Sequence, residues 1–419
     1  MMRGLAVDRR PLAIPAFRRM WLASVVCAMG GSFSLAAVPT QLFTMAGSSA
    51  AVGASAIVSF VALVVAALWT GALADREDRR TILLAAHCGL ALTYAALWVQ
   101  SALDLRSVPV LMVLVGCQGL AFGAIMTTMG AVVPRLVPVE LLPAANSLTS
   151  LVRYAGSILG PMLAGVLIPF VGLGTLYLFD TLALPAVVWA VARLPRIPPA
   201  SSPAARRSTI AQIGDGFRYL AGSRLLVAVL GIDLAAMVFG MPIALFPELA
   251  ERTYGGPAGG GPALGMLYAA YPAGVFAIGL LSGTFTRARR HGLLMAAAVA
   301  AWGVTVIVLG LAQHLWLALA ALVAGGAVNF VLSTFRNAIT QALTDDAMRG
   351  RIQGALTVVL IGGPQLANLL HGTAAPIFGT GVVICAGGLL ATVTVAAVVW
   401  RVPELRSYGL LTLRATGAG

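Results

Sequence analysis

The chain has 419 residues, of which 59% are hydrophobic and 10% charged, against about 25% charged in ordinary soluble domains. With a mean hydropathy of +0.94, that deficit excludes a soluble globular enzyme. The formal net charge is +13 and every basic residue is Arg; in a soluble domain this excess would suggest nucleic acid, whereas here it marks topology.

Residues 20–74, 107–134 and 253–286 carry no charge, and 292–335 and 352–400 carry none beyond one His each. About 20 apolar residues in a helix cross a bilayer core, so each stretch holds one or two spans. Lipid cannot satisfy open backbone groups and no alternating barrel pattern is present, so the spans are helices. Twelve are predicted, at 20–45, 49–74, 80–103, 108–136, 142–171, 175–194, 224–249, 262–285, 291–312, 315–342, 349–377 and 380–401. The first is too long for the core of a signal peptide, about 7 to 15 residues, and reads as an uncleaved span.

Between spans six and seven, residues 195–223 hold Pro195, Pro198, Pro199 and Pro203, then Ile210, Ile213, Phe217 and Leu220 at helical spacing. This is a linker ending in an amphipathic surface helix. It gives an N-terminal six-helix bundle (1–194), the linker (195–223) and a C-terminal bundle with a short tail (224–419). One set of connections carries Arg76, Arg79, Arg80, Arg193, Arg196, Arg206, Arg207, Arg287, Arg289, Arg290, Arg349 and Arg351, and the opposite set only Arg106 and Arg252. By the positive-inside rule both termini are cytoplasmic.

The two halves carry matching residues. A shift of 207 superposes Gly156, Gly165 and Gly172 on Gly363, Gly372 and Gly379; a shift of 203 superposes Pro39, Leu42 and Phe43 on Pro242, Leu245 and Phe246. Duplication of a six-helix unit is the expectation. The four cysteines, Cys27, Cys88, Cys117 and Cys385, lie singly in apolar stretches and read as small buried hydrophobes. No metal and no cofactor is expected.

The turn after span two reads Gly71-Ala72-Leu73-Ala74-Asp75-Arg76-Glu77-Asp78-Arg79-Arg80. Gly71 permits close helix approach, and Asp75 suits the positive N-terminal end of span eleven near Met348. Span five contains Gly156, Gly160, Pro161 and Gly165, small residues for close packing with a proline bend. On these motifs the sequence resembles the major facilitator superfamily, whose corresponding loop (G-x-x-x-D-R-x-x-R-R) is a cytoplasmic latch and whose exporters carry G-x-x-x-G-P in span five. The stretches 17–23, 73–84, 217–223, 245–250, 267–273, 292–295 and 350–352 are similar to its enterobactin-exporter branch, proton-driven exporters of siderophores and related metabolites. The resemblance implies an all-α membrane protein with twelve transmembrane helices in two pseudo-symmetric bundles, a monomer in the inner membrane whose partners are a small-molecule substrate, protons and lipid, with no nucleic acid. One departure stands out: drug/proton antiporters carry Arg three residues before a Gln-Gly pair, and here Val115 precedes Gln118-Gly119.

An ion near the bilayer centre costs at least about 2.5 to 3.5 kcal/mol and is a functional candidate by default. Asp233 and Arg153 fall near mid-depth, Asp180 one to two turns from the outer end of span six, and Arg336 within two turns of the inner end of span ten. The resemblance makes spans one, four, seven and ten cavity-lining, which points to Asp233 and Arg336; a static ion pair is the alternative for these charges. His87 and His371 read as hydrogen-bonded core groups, and Glu248 and Glu251 as solvated acids at the end of span seven. Met29, Phe33, Gln41, Gln118, Met237, Phe239, Asn329 and Phe330 are candidate cavity residues, with core packing or lipid contact the alternative for the Met and aromatic positions. Export by proton antiport is the leading reading; import by the same fold, or a membrane-embedded sensor or enzyme, are the alternatives.

Overall fold

The computed structural model describes residues 9–30, 32–74, 76–198, 209–257, 259–280, 291–344 and 349–407. Among these the regular elements are all helical. After a 3-10 turn at Arg10–Ala13 they are α1 (Pro15–Gly30), α2 (Ser34–Ala46), α3 (Ser49–Leu73), α4 (Arg79–Ala102), α5 (Val108–Leu136), α6 (Leu142–Ala192), α7 (Thr209–Ala221) and α8 (Arg224–Gly240). A 3-10 turn then leads to the single turn α9 (Phe246–Glu248) and a π-helical turn, Leu249–Thr253; α10 (Pro262–Leu280), α11 (His291–Leu311), α12 (Leu315–Ala342), α13 (Arg349–Phe378), α14 (Thr380–Arg401) and α15 (Pro403–Ser407) follow.

Spans two, three, four and nine to twelve of the sequence reading coincide with α3, α4, α5 and α11 to α14 to within one residue at each end. Span eight, predicted at 262–285, opens with α10 at Pro262, and its residues 281–285 lie outside the described residues. Three other places differ. Span one starts earlier, at Pro15, and is broken between Gly30 and Ser34. Spans five and six run together as α6, kinked at Gly172, whose φ of +76° only glycine adopts readily. Span seven loses regular helix after Gly240.

Nine helical stretches among the described residues are long and apolar enough to cross a bilayer. One of them, Ala155–Ala192, has 38 residues, about 57 Å at 1.5 Å per residue, enough for two crossings either side of the kink. Neither half of the broken first span reaches that length. The helix surfaces are dressed for lipid: Trp69, Leu92, Phe170 and Trp400 are 72–78% exposed. Cys88 and Cys117 are exposed as well, which corrects the expectation that all four thiols are buried; on an apolar helix, a small apolar side chain gains nothing from facing inward.

The chain forms two compact units. Unit 1 comprises Met1–Gly47, Ile57–Thr209 and Pro257–Gly265; unit 2 comprises Ser48–Ala56, Ile210–Gly256 and Met266–Gly419. Unit 1 has a core of Phe17, Leu83, Val132, Ala145, Leu148 and Val191. In unit 2, Leu220 of α7 is buried with Leu226, Leu230, Ile352 and Leu356, while Phe217 on the same helix is 40% exposed.

The matched glycines play matched parts. Gly172 and Gly379 both have positive φ, +76° and +89°, at the entrance to the last span of each half. A Cβ on Gly165 would lie 2.2 Å from the Gly265 nitrogen in unit 1, and one on Gly372 would lie 2.6 Å from the Ser49 carbonyl oxygen in unit 2. Gly156 meets Ala28 and Ser32 of span one, and Gly363 meets Met237 and Leu234 of span seven. The same positions of the repeat therefore pack against the same kinds of partner.

Candidate functional site

Local chemistry explains the break in the first span. Two consecutive glycines, Gly30 and Gly31, lower helix propensity at that point. The second segment, α2, starts at Ser34 with no side-chain cap from Phe33, leaving backbone donors in the interior that need acceptors. Asp180 of α6 supplies them. Its carboxylate, fully buried, accepts the N–H of Phe33 at 3.1 Å, the N–H of Ser34 at 2.8 Å and the Ser34 hydroxyl. An anion at a helix N-terminus is favoured by the dipole as well as by the hydrogen bonds.

The exporter-type glycines receive this break. A Cβ on Gly160 would lie 2.4 Å from the Ser32 Cβ and 2.8 Å from its carbonyl oxygen, and one on Gly156 would lie 3.0 Å from the Ala28 Cβ. Pro161, the next residue, is buried in α6. Gly160→Ala is expected to cost about 1–3 kcal/mol through overpacking, whereas Gly89→Ala, where no atom lies within 4 Å, is expected to be neutral or stabilising; melting temperatures of the two purified variants check the contrast.

Unit 1 also orders several polar groups around α2. Gln41, buried, accepts the Tyr177 hydroxyl at 2.8 Å through Oε1, and Gln118 donates to the Tyr94 hydroxyl at 3.3 Å. Phe33 is buried and 6.1 Å from Phe179, ring to ring, so its contribution is backbone at the break and packing beside it. The side chains of Met29 and Arg153 lie outside the described residues.

In unit 2, α8 stops at Gly240 and Pro242 follows two residues later; proline has no N–H to continue the ladder. The chain beyond this break is capped from α13: Asn368 Oδ1 accepts the Ala244 N–H at 3.0 Å. About two helical turns before the break, Asp233 of α8 is fully buried and takes a two-pronged contact from Arg336 of α12, Nη1 lying 2.9 Å from Oδ1 and 2.8 Å from Oδ2. Arg336, 5% exposed, also donates from Nε and Nη2 to Asn337 Oδ1. The two charges that the sequence reading named as cavity candidates thus lie in direct contact, and the guanidinium of Arg336 is buried. Met237 and Phe239 are half-buried, Met237 against Gly363. Asn329 is buried and accepts from Ser333, and Phe330 is half-buried beside Gly279.

Glu248 corrects the sequence reading. It is 8% exposed, not solvated. Its carboxylate accepts the Ser49 hydroxyl, the Thr380 hydroxyl at 3.0 Å and Arg252 Nη1 at 3.2 Å. Ser49 and Thr380 open α3 and α14, so two helix N-termini and a guanidinium surround one carboxylate within unit 2. His87 and His371 each bond the carbonyl four residues back, as core groups do.

At the loop after α3, Gly71 closes the span and Arg76 is exposed, while Asp75 lies outside the described residues, as does Met348. The acid that works in the described loop is Asp78. It caps α4 through the Arg80 N–H at 2.9 Å and accepts the Ile197 N–H at 3.1 Å, with the Arg79 N–H returning to the Ile197 carbonyl at 3.2 Å. Arg80 donates to the Ala192 carbonyl at the C-terminal end of α6, where a cation is favoured. The basic loop is therefore tied to the chain leaving the last span of unit 1.

Comparison with known proteins fits this architecture. Residues 7–414 match the transmembrane secretion effector family. The enterobactin exporters EntS of Citrobacter koseri and of Escherichia coli O1:K1 are each 29% identical over 360 residues, 85% of either chain. Among solved structures, the nucleoside transporter NupG superposes with a TM-score of 0.71 over 94% of this chain and 100% of its own, at 14% identity. A POT family transporter in complex with 5-aminolevulinic acid gives 0.68 over 94% and 96%, at 13% identity; both share the fold. With paired glycines, broken helices and buried ions set in a helical membrane fold, and a family match along nearly the whole length, this chain belongs to the transmembrane secretion effector family of major facilitator transporters.

Proposed function

We propose that the protein exports a siderophore-like or drug-like small molecule from the cytoplasm through the inner membrane by proton antiport, as a monomer with both termini cytoplasmic. The buried Asp233–Arg336 pair carries this reading. A contact pair with 6% and 1% of its side chains exposed is stable only while both members are charged. A proton delivered to Asp233 removes one charge and leaves Arg336 uncompensated, so the helices α8 and α12 must rearrange or Arg336 must find another anion. Protonation is thereby tied to a change of shape, which is what coupling requires.

The relatives named as enterobactin exporters support export as the direction, and Arg on one set of loops supports the orientation. Asp180 is the second candidate for the coupling proton, because it too is a fully buried carboxylate and it holds the start of the second segment of a broken helix. The loop around Arg76, Arg79 and Arg80 serves as the cytoplasmic latch.

Proteoliposomes with an imposed pH gradient and enterobactin as the first cargo test the proposal. Wild type is expected to move cargo against the direction of proton flow, and Asp233→Asn to remove the gradient-driven component while remaining folded and inserted. Unchanged transport by Asp233→Asn would take Asp233 out of the mechanism. Cargo and protons moving in the same direction would make the protein an importer.

A further inference from the structure

The end of unit 1 formed by α2, the C-terminus of α4 and the residue after the Gly172 kink encloses a cavity of about 250 Å³. Its polar lining is Gln41, Thr44, Gln100, Ser101, Asp104 and Arg106. A water takes up about 30 Å³, so the space exceeds a water site, yet it falls below the roughly 300–1,000 Å³ of pockets for drug-sized molecules. It fits a small polar molecule, or one polar arm of a larger one.

Gln100 sets this cavity apart. The side chain is 3% exposed, and both its amide nitrogen and its amide oxygen are buried with no hydrogen-bond partner among the described residues. Interior amides are almost always satisfied, so an amide open at both its nitrogen and its oxygen beside a cavity calls for a partner. The turn that follows is itself unusual: Asp104 has φ +48°, outside the range most side chains favour. The Gln100 carbonyl accepts the Leu105 N–H at 2.9 Å and so fixes this turn beside the cavity. Asp104 and Arg106 then form an ion pair at the rim, 3.3 Å apart and about four-fifths exposed. On the facing helix, the Gln41 oxygen is committed to Tyr177, which turns its NH2 group the other way.

The lining therefore offers an open carboxamide, a second amide NH2, the Ser101 hydroxyl, the Thr44 hydroxyl oxygen, whose proton is donated to the Gln41 carbonyl at 2.9 Å, and a charge-balanced pair, with no net charge to select an ion. The complement of an open carboxamide is a group presenting a donor and an acceptor side by side, which forms two hydrogen bonds with it at once. We propose that this cavity is a binding site for compact molecules or substituents bearing an amide or hydroxamate group, with Gln100 as the residue that reads them. Rotation about the last torsion of Gln100, which is broad, presents the amide to a guest. Whether such a guest is the exported cargo rests on the export proposed above; the site itself does not.

Binding is measured on the purified full chain in detergent by saturation-transfer NMR, with acetohydroxamic acid as probe and butanone, an acceptor without a donor, as comparator. Wild type is expected to bind acetohydroxamic acid and not butanone. Gln100→Met, nearly the same shape without the polar atoms, is expected to weaken the probe about tenfold, as the loss of one or two hydrogen bonds does, and to raise the melting temperature of the unliganded protein by about 2–4 °C. The two readouts together separate a recognition residue from a structural one. A fall in melting temperature or a failure to fold would mean that the amide has a structural partner and would overturn the assignment. So would absence of the probe signal in wild type, equal signals from probe and comparator, or a probe affinity unchanged in Gln100→Met. Since no transport is measured, failure here leaves the export reading standing.

Discussion

Replacing Asp180 with alanine is expected to lower the melting temperature of the purified protein by about 10 °C. Three donors converge on this carboxylate: the N–H groups of Phe33 and Ser34 and the Ser34 hydroxyl. The hydroxyl can turn to another acceptor, but the two backbone groups cannot, because they open a helix in the interior. Each buried donor left unmade costs about 1–3 kcal/mol, and bonds to a charged acceptor lie at the upper end. The sum is about 3–5 kcal/mol, and 1 kcal/mol moves the midpoint by about 2–4 °C in a protein domain of this unit's size. Asp180→Asn keeps one acceptor oxygen and sets an NH2 group against the donors, so its loss should be intermediate. A midpoint for Asp180→Ala within about 2 °C of wild type would show that α2 is not held from α6.

The second large effect concerns the ion pair of unit 2. Asp233→Ala alone, or Arg336→Met alone, strands a charge in the interior and is expected to cost about 3–5 kcal/mol. The double variant Asp233→Leu with Arg336→Met leaves nothing charged, and apolar replacement of a buried pair is commonly neutral or stabilising. Its melting temperature should therefore return close to that of wild type. Transport separates the roles: if the pair only holds α8 to α12, the double variant transports normally, and if it couples protons, the variant is stable and inactive. A double variant as unstable as the singles would mean that the two residues are not energetically partners, contrary to their contact at 2.8 Å.

Much of this architecture is legible in the amino-acid order because a bilayer imposes coarse rules. Charged connections such as Asp75–Arg80, Asp104–Arg106 and Arg349–Arg351 mark where helices end, and the predicted ends agree with α3, α4, α5 and α11 to α14 almost residue for residue. The repeat was legible in the glycines at 165 and 372, since close backbone approach tolerates nothing larger. Asp233 stood out because a charge at mid-depth has few ways to be compensated, and Arg336 because it too is a charge inside an apolar span.

The remainder depends on partners that have no signature along the chain. Asp180 is recognisable as a buried acid, but its partners are backbone N–H groups some 146 residues away, and backbone looks alike everywhere. Glu248 sits among ordinary end-of-span residues, and its hydroxyl donors Ser49 and Thr380 are unremarkable in sequence. In the basic loop, the spacing drew attention to Asp75, whereas Asp78 makes the described contacts, since capping depends on which residue precedes the first turn of α4. Gln100 gave no signal at all; only the emptiness around its amide distinguishes it.

The two interrupted helices are closed off by different chemistry. In one half the acceptor at the interruption is a carboxylate, Asp180; in the other it is the neutral amide oxygen of Asn368. Acidity can act on the first and has no purchase on the second. A duplicated scaffold thus carries one joint closed by an ionisable group and one closed by a group that cannot ionise, so the two interruptions are chemically unequal although they lie in matching spans of the repeat.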